Sequence, residues 1–173
     1  MFGTGILKSI IQVLSGKKSP QAMAAGFALG AILGLMPKDN LFGIAVFLVF
    51  FLTTVDKGSA FMAAFLFTPI GYLLDTPAHN IGYLLLADTQ SLTPLWTYLY
   101  NTPIIPWTKF NNTVVMGHLV IGLILYIPNY FLFKYLVGYY QKHWKKKVEN
   151  LAVVKALKGM RIFQLFSKYG AVD

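Results

Sequence analysis

Apolar residues occupy this chain in blocks separated by short polar breaks, and the blocks predict helices. From Phe2 to Ser15 the pattern is amphipathic. Phe2, Ile6, Leu7, Ile10, Ile11, Val13 and Leu14 fall on one half of a helical wheel, with Thr4, Gly5, Lys8, Ser9, Gln12 and Ser15 on the other. Such a helix lies along a membrane surface or docks on the protein's own bundle. Ser19-Pro20 then opens an uncharged stretch that reaches Met36; serine caps free amides and proline suits a first helical turn. Ala22, Gly26, Gly30 and Gly34 recur at every fourth position within it. They therefore share one helix face and leave a groove bare of side chains, open to close approach by another helix or an acyl chain. The stretch barely suffices to cross roughly 30 Å of hydrocarbon, so it is either a short span or one arm of a re-entrant hairpin. Pro37-Lys38-Asp39-Asn40 ends it in a polar break.

Two more short apolar blocks follow, Leu41 to Val55 and Ser59 to Leu74, separated by Asp56-Lys57-Gly58. The second contains Thr68-Pro69-Ile70-Gly71, where the missing proline amide predicts a kink or an opening. Pro77 lies in the polar stretch after it, and Ile81 to Ala87 is too short to span. Broken helices of this kind are tolerated at membrane depth where protein or water satisfies the freed backbone. Residues 88–112 carry three prolines interleaved with Trp96, Tyr98, Tyr100 and Trp107, the pattern of an outer loop with aromatic rings at headgroup level. Residues 113–140 form one long span, with a kink expected at Pro128-Asn129, and residues 141–173 a basic tail with one or two short surface helices.

Composition places these helices in a membrane. Of 173 residues, 56% are hydrophobic and 12% charged, about half the charged share of an ordinary soluble domain, and the mean hydropathy is +0.58. The predicted fold is an all-α integral membrane protein, a single domain over 1–173. It has about four short or broken transmembrane or re-entrant helices (within 20–87 and at 113–140) and amphipathic surface helices at the termini. The start has no basic head, long apolar run and small-residue cleavage site in series, so a removable signal peptide is not expected. The net charge of +9 comes from lysines next to apolar blocks, which suits anionic phospholipid headgroups better than nucleic acid. Lys8, Lys17 and Lys18 flank the first block and Lys142, Lys145, Lys146 and Lys147 the last, whereas the aromatic loop carries only Lys109. The positive-inside bias then puts both termini in the cytoplasm and residues 75–112 outside.

Candidate chemistry is sparse. The absence of cysteine excludes disulfides, thiolate metal sites and a cysteine nucleophile, and the sequence contains no nucleophile elbow, zincin or phosphate-loop motif. Neither a catalytic residue, a metal site nor a cofactor is expected. Asp75 and His79 would be neighbours on a continuous helix, though Pro77 between them opposes one. Pro37, Lys38, Asp39 and Asn40 form either an interfacial turn or a contact for a headgroup or a partner's charge. Asn111, His118, Gly122 and Asn129 share a stripe that should face the interior of a bundle, as helix-to-helix glue or as a pathway.

The run of Ser19, Pro20, Ala24, Gly26, Ala28, Gly30, Gly34 and Pro37 resembles an uncharacterised family of small bacterial inner-membrane proteins. Its hallmark is a Ser-Pro start, a small-residue helix and a Gly-x-x-Pro stop. A second hallmark, an Asn-Pro-x-Thr-x-Pro-like break, is matched loosely by Thr68-Pro69 through Pro77, with Thr68 where that pattern has asparagine. The resemblance covers residues 15–90. It is nearest a branch encoded beside a large membrane-anchored envelope protein, which implies a two-component complex in the inner membrane. On the residues and the resemblance together, the expected function is that of a non-enzymatic subunit. It would pack against and anchor the larger protein through its glycine groove, and admit phospholipid to an intermembrane path. The alternative is a small homo-oligomeric transporter of an ion, solute or lipid, since paired Gly/Pro-interrupted helices mark midplane sites.

Overall fold

The computed structural model describes residues 19–144 and 150; the amphipathic segment 2–15 and most of the basic tail lie outside them. The polar breaks are helix caps. Ser19 Oγ accepts from the Ala22 amide at 3.2 Å, Asn40 Oδ1 from Gly43 at 2.8 Å and Asp56 Oδ2 from Ser59 at 2.8 Å. Asn112 Oδ1 accepts from Val114 at 2.9 Å and Val115 at 3.1 Å. Each satisfies amides that a helix N-terminus leaves free. The capped helices are α1 (Pro20–Leu35), α2 (Leu41–Leu52), α3 (Lys57–Leu73) and α6 (Thr113–Tyr139). Between them lie α4 (Asp75–Tyr83) and α5 (Thr93–Tyr100). Among the described residues every regular element is helical and none is a strand.

Helix α1 is the centre, packed against α3 on one side and α6 on the other, while α4 packs on α6. Helix α2 carries the chain back to the start of α1, where the Asp56 amide donates to the Ala22 carbonyl at 3.0 Å. Helix α3 therefore runs parallel to α1. A β-carbon on Gly34 would lie 2.6 Å from Phe67 Cβ, and one on Gly71 would lie 2.9 Å from the Leu35 carbonyl oxygen. Helix α6 returns antiparallel: Gly122 faces Ile32, and the Phe133 ring stacks on Phe27 at 4.0 Å. Helices α4 and α6 repeat the close approach, Gly82 against the Thr113 backbone and Gly117 against that of Ala78.

Many buried side chains are small, and many large apolar ones are exposed. Gly26, Gly30, Gly34, Ala24, Ala28, Ala60 and Ala63 are buried, together with Met23 and Met36. Phe65 (75% exposed), Leu52 (84%), and Leu123, Ile124, Phe131 and Leu132 of α6 point outward. Helix α2 buries only Phe50. Thr113–Trp144, which is α6 and the π turn after it, is the one helix among the described residues long and apolar enough to cross a membrane. Helix α3 and the α4 segment through Asp88 meet that test only together, across a 71° bend.

The bend is not where Thr68-Pro69 would put it. Helix α3 runs through Pro69, with Thr68 Oγ1 donating to Ala64 O at 2.7 Å, and breaks at Leu74. Pro77 accounts for this position, because it has no amide for the Leu73 carbonyl and its ring excludes that oxygen. The Leu74 amide instead closes a tight last turn onto Ile70 O and Gly71 O. Likewise α6 is continuous through Pro128. Residues 88–112 are less loop-like than expected: α5 and two 3₁₀ turns, Gln90–Leu92 and Ile105–Thr108, fold Pro94, Pro106, Trp96, Tyr98, Tyr100 and Trp107 into short helices.

Candidate functional site

The small-residue face of α1 is filled from within the chain. A β-carbon on Gly26 would collide with the Asp56 carbonyl, and one on Gly30 would lie 2.6 Å from the Ala60 Cα. Asp56 caps α3 at this contact, its carboxylate also accepting from Ser59 Oγ at 2.8 Å. Ala22, Gly26, Gly30 and Gly34 thus form a helix-packing groove whose occupant is α3, which leaves no room there for a further helix or an acyl chain.

A pocket of about 350 Å³ opens at the end of that groove, where α1, the α3–α4 break and the first turn of α6 meet. Lys38, Asp39, Thr68, Tyr72, Asp75 and Val114 are among its walls. Lys38 is turned back on α1: its Nζ donates to Leu33 O at 2.5 Å, Gly34 O at 2.9 Å and Met36 O at 2.8 Å. These carbonyls have no helical amide to accept from, and the cation suits the negative end of the helix dipole. Loss of water around the amine lowers its proton affinity from the usual lysine value. Asn40 joins the same turn to α2, its Nδ2 donating to Pro37 O at 2.5 Å. Asp39 faces outward and pairs with Lys109 at 2.5 Å. The hydrogen bond from Lys109, then its own backbone amide and the lysine charge, hold the Asp39 carboxyl below the usual carboxylate range. The polar break therefore serves as two caps and one ion pair.

Behind the pocket wall lies His118, 1% exposed. Its Nδ1 is 3.0 Å from Val114 O, and its Nε2 is 3.1 Å from Gly71 O and 3.6 Å from Asp75 Oδ1. Asp75 and His79 both lie on α4, yet each turns to α6; His79 Nδ1 meets Thr113 Oγ1 at 2.7 Å. Of the expected stripe, His118 and Gly122 are buried, and Asn129 is half-buried, its Nδ2 lacking a hydrogen-bond partner among the described residues. Asn111 is exposed and precedes α6, so it does not belong to the stripe. The approach of Asp75 to His118 had no signature in the sequence, since 43 positions of chain fold between them. The Asp56 cap could have been found from Asp-x-x-Ser opening an apolar block.

A second cavity of about 300 Å³ lies beside α5, lined by Leu86, Trp96, Thr97, Tyr100, Asn101, Phe110 and Asn111. Trp96 is held there by its Nε1 donating to Leu85 O at 2.9 Å. Among the described residues no group of three or more His, Cys, Asp or Glu side chains converges as a metal site would require.

Residues 6–146 match a family described as an uncharacterized protein conserved in bacteria (DUF2062), and the chain belongs to that family. It is 26% identical over 147 residues to an uncharacterized protein of Treponema pallidum, across 85% of this chain and 90% of that relative. No solved structure matches it. The matched range extends well beyond residues 15–90, where the resemblance was first legible.

Proposed function

We propose that this member of the family is a multi-pass protein of the bacterial inner membrane. It acts as a non-enzymatic subunit that packs against a larger membrane-anchored envelope protein and admits phospholipid to an intermembrane path. The observation that carries the reading is the sorting of side chains: much of the packing between α1 and α3 is Gly, Ala and Met, while large side chains such as Phe65, Leu52 and Ile124 point outward. Water would penalise so extensive an apolar exterior, whereas lipid accommodates it and favours interfaces of small residues. In this arrangement α1, α2, the bent α3–α4 pair and α6 make four crossings, with both termini cytoplasmic; alternatively α1 and α2 form a re-entrant hairpin.

Helix α1, at 16 residues, is about 24 Å long at 1.5 Å per residue, short of roughly 30 Å of hydrocarbon. A bilayer thinned around it brings headgroups toward the pocket at its end. With the glycine groove occupied, the face left for the envelope partner is that of α2, whose Ile44, Leu48, Phe51 and Leu52 are exposed. The lack of cysteine makes the wild-type chain a clean background for single-cysteine scanning. Labels on α2 and α6 should be shielded by lipid, and gentle purification should retain a stoichiometric envelope protein with phospholipid. Water-accessible labels along Leu123, Ile127 and Phe131, or a protein that purifies alone, would sink it.

The 71° break beside a pocket whose walls include Lys38, Asp39 and Asp75 favours one other reading, the homo-oligomeric transporter. Flux into liposomes that is lost in Asp39→Asn or His118→Ala would select it.

A further inference from the structure

His118 is held in a way that a neutral imidazole cannot satisfy. Both of its ring nitrogens face backbone carbonyls, Val114 O at 3.0 Å and Gly71 O at 3.1 Å. A carbonyl oxygen only accepts, while a neutral ring offers one N–H and one lone pair. Donation to both carbonyls takes the doubly protonated ring, and the Asp75 carboxylate 3.6 Å from Nε2 supplies the balancing charge. The three residues His118 touches, Gly71, Asp75 and Val114, all line the 350 Å³ pocket. They come from α3, α4 and α6, so the ring ties together the two sides of the α3–α4 break.

We propose that His118 is a proton-dependent clamp on this pocket. With both nitrogens protonated, the ring fastens the last turn of α3 and the start of α4 to α6. Loss of one proton sets a nitrogen lone pair against a carbonyl oxygen, a repulsive contact inside a buried site. The Val114 contact lies within one turn of α6, so the contact that gives way is the one to Gly71, which joins α6 to the last turn of α3 before the break at Leu74. The break then loosens, Asp75 loses its charge partner, and the pocket wall opens as pH rises. Other charged or titratable groups around the pocket are accounted for. Lys38 is turned onto α1 carbonyls, Asp39 is paired with Lys109, Tyr72 is on the exposed rim of α3, and His79 meets Thr113 further along α4. Asp75 is the group that answers the His118 charge. The inference goes beyond the subunit reading and rests only on the contact of α3 and α4 with α6.

The test uses the full chain in detergent micelles. Nitrogen spectra of labelled histidine, followed from acid to alkaline pH, should reveal one ring that passes from double to single protonation. Spin labels at Tyr72→Cys and Leu123→Cys, both exposed sites, should move apart over the same pH interval. His118→Gln should abolish that movement, because its amide reaches one carbonyl and does not titrate, while His79→Gln and His143→Gln should retain it. A buried ring whose protonation is constant across this range overturns the proposal on the wild-type protein alone. Label movement that persists unchanged in His118→Gln overturns it as well.

Discussion

Gly30 of α1 and Ala60 of α3 bring two backbones so close that a β-carbon on the glycine would lie 2.6 Å from the alanine Cα. Neither backbone has a flexible atom to yield at that point. Gly30→Ala should therefore lower stability by about 1–3 kcal/mol through overpacking, and Gly30→Leu should prevent α1 and α3 from pairing. Gly138 is the contrast, with nothing within 4 Å of an added β-carbon. Gly138→Ala should be neutral or stabilise by roughly 0.5–1 kcal/mol through helix propensity. Reversible unfolding in mixed micelles, followed by circular dichroism, would compare the three variants.

The Asp39–Lys109 pair ties the α1–α2 turn to the segment before α6 across 70 positions of chain. Because Lys109 lowers the folded-state proton affinity of Asp39, the pair's contribution is present above the usual carboxylate range. It is lost as pH falls through the lowered value, where the folded carboxylate finally takes up its proton. Asp39→Asn should cause a small drop in melting temperature at neutral pH, shrinking with added salt because the pair is exposed. Wild type and variant should converge in strong acid. A difference that persists there would assign the effect to something other than this charge.

Pro77, rather than Pro69, should control the 71° bend. Pro77→Ala restores an amide that the Leu73 carbonyl can accept from, so α3 and α4 should straighten toward one helix. Pro69→Ala should leave the bend as it is. Spin-label distances from Phe65 to Leu84, both exposed, would lengthen in the first variant and not in the second.

Lys38 should behave as a helix cap. Lys38→Met leaves the carbonyls of Leu33, Gly34 and Met36 without their donor and should cost about 1 kcal/mol. Lys38→Arg should recover only part of it, since a planar guanidinium cannot aim at all three oxygens as an ammonium does. Denaturant titration of the two variants beside wild type would read the difference.

Several features were legible because they are local. Ser19 was legible as the cap of α1, because capping depends on residues within one turn; Asn40, read only as part of a polar break, and Asn112 cap α2 and α6 by the same local rule. The spacing of Gly26, Gly30 and Gly34 announced a close helix contact, because periodicity decides which residues share a face. Pro77 and Pro69 were both visible as possible breaks, yet their relative effect was not. It depends on which carbonyl each proline deprives and on what else can satisfy it.

By itself, then, the sequence determined the helical blocks, their caps, their apolar character and the bare face of α1, all consequences of short-range sterics and periodic burial. Only the tertiary structure decided that α3 of the same chain fills that face. It also turned Lys38 onto α1, placed Asp39 on Lys109, left Asn111 outside the stripe, and set His118 between Val114, Gly71 and Asp75. Those outcomes depend on how α2 returns the chain and how α6 crosses α1. Contacts of that kind join residues tens of positions apart, and they are selected by the packing of whole helices rather than by the spacing of residues along one of them.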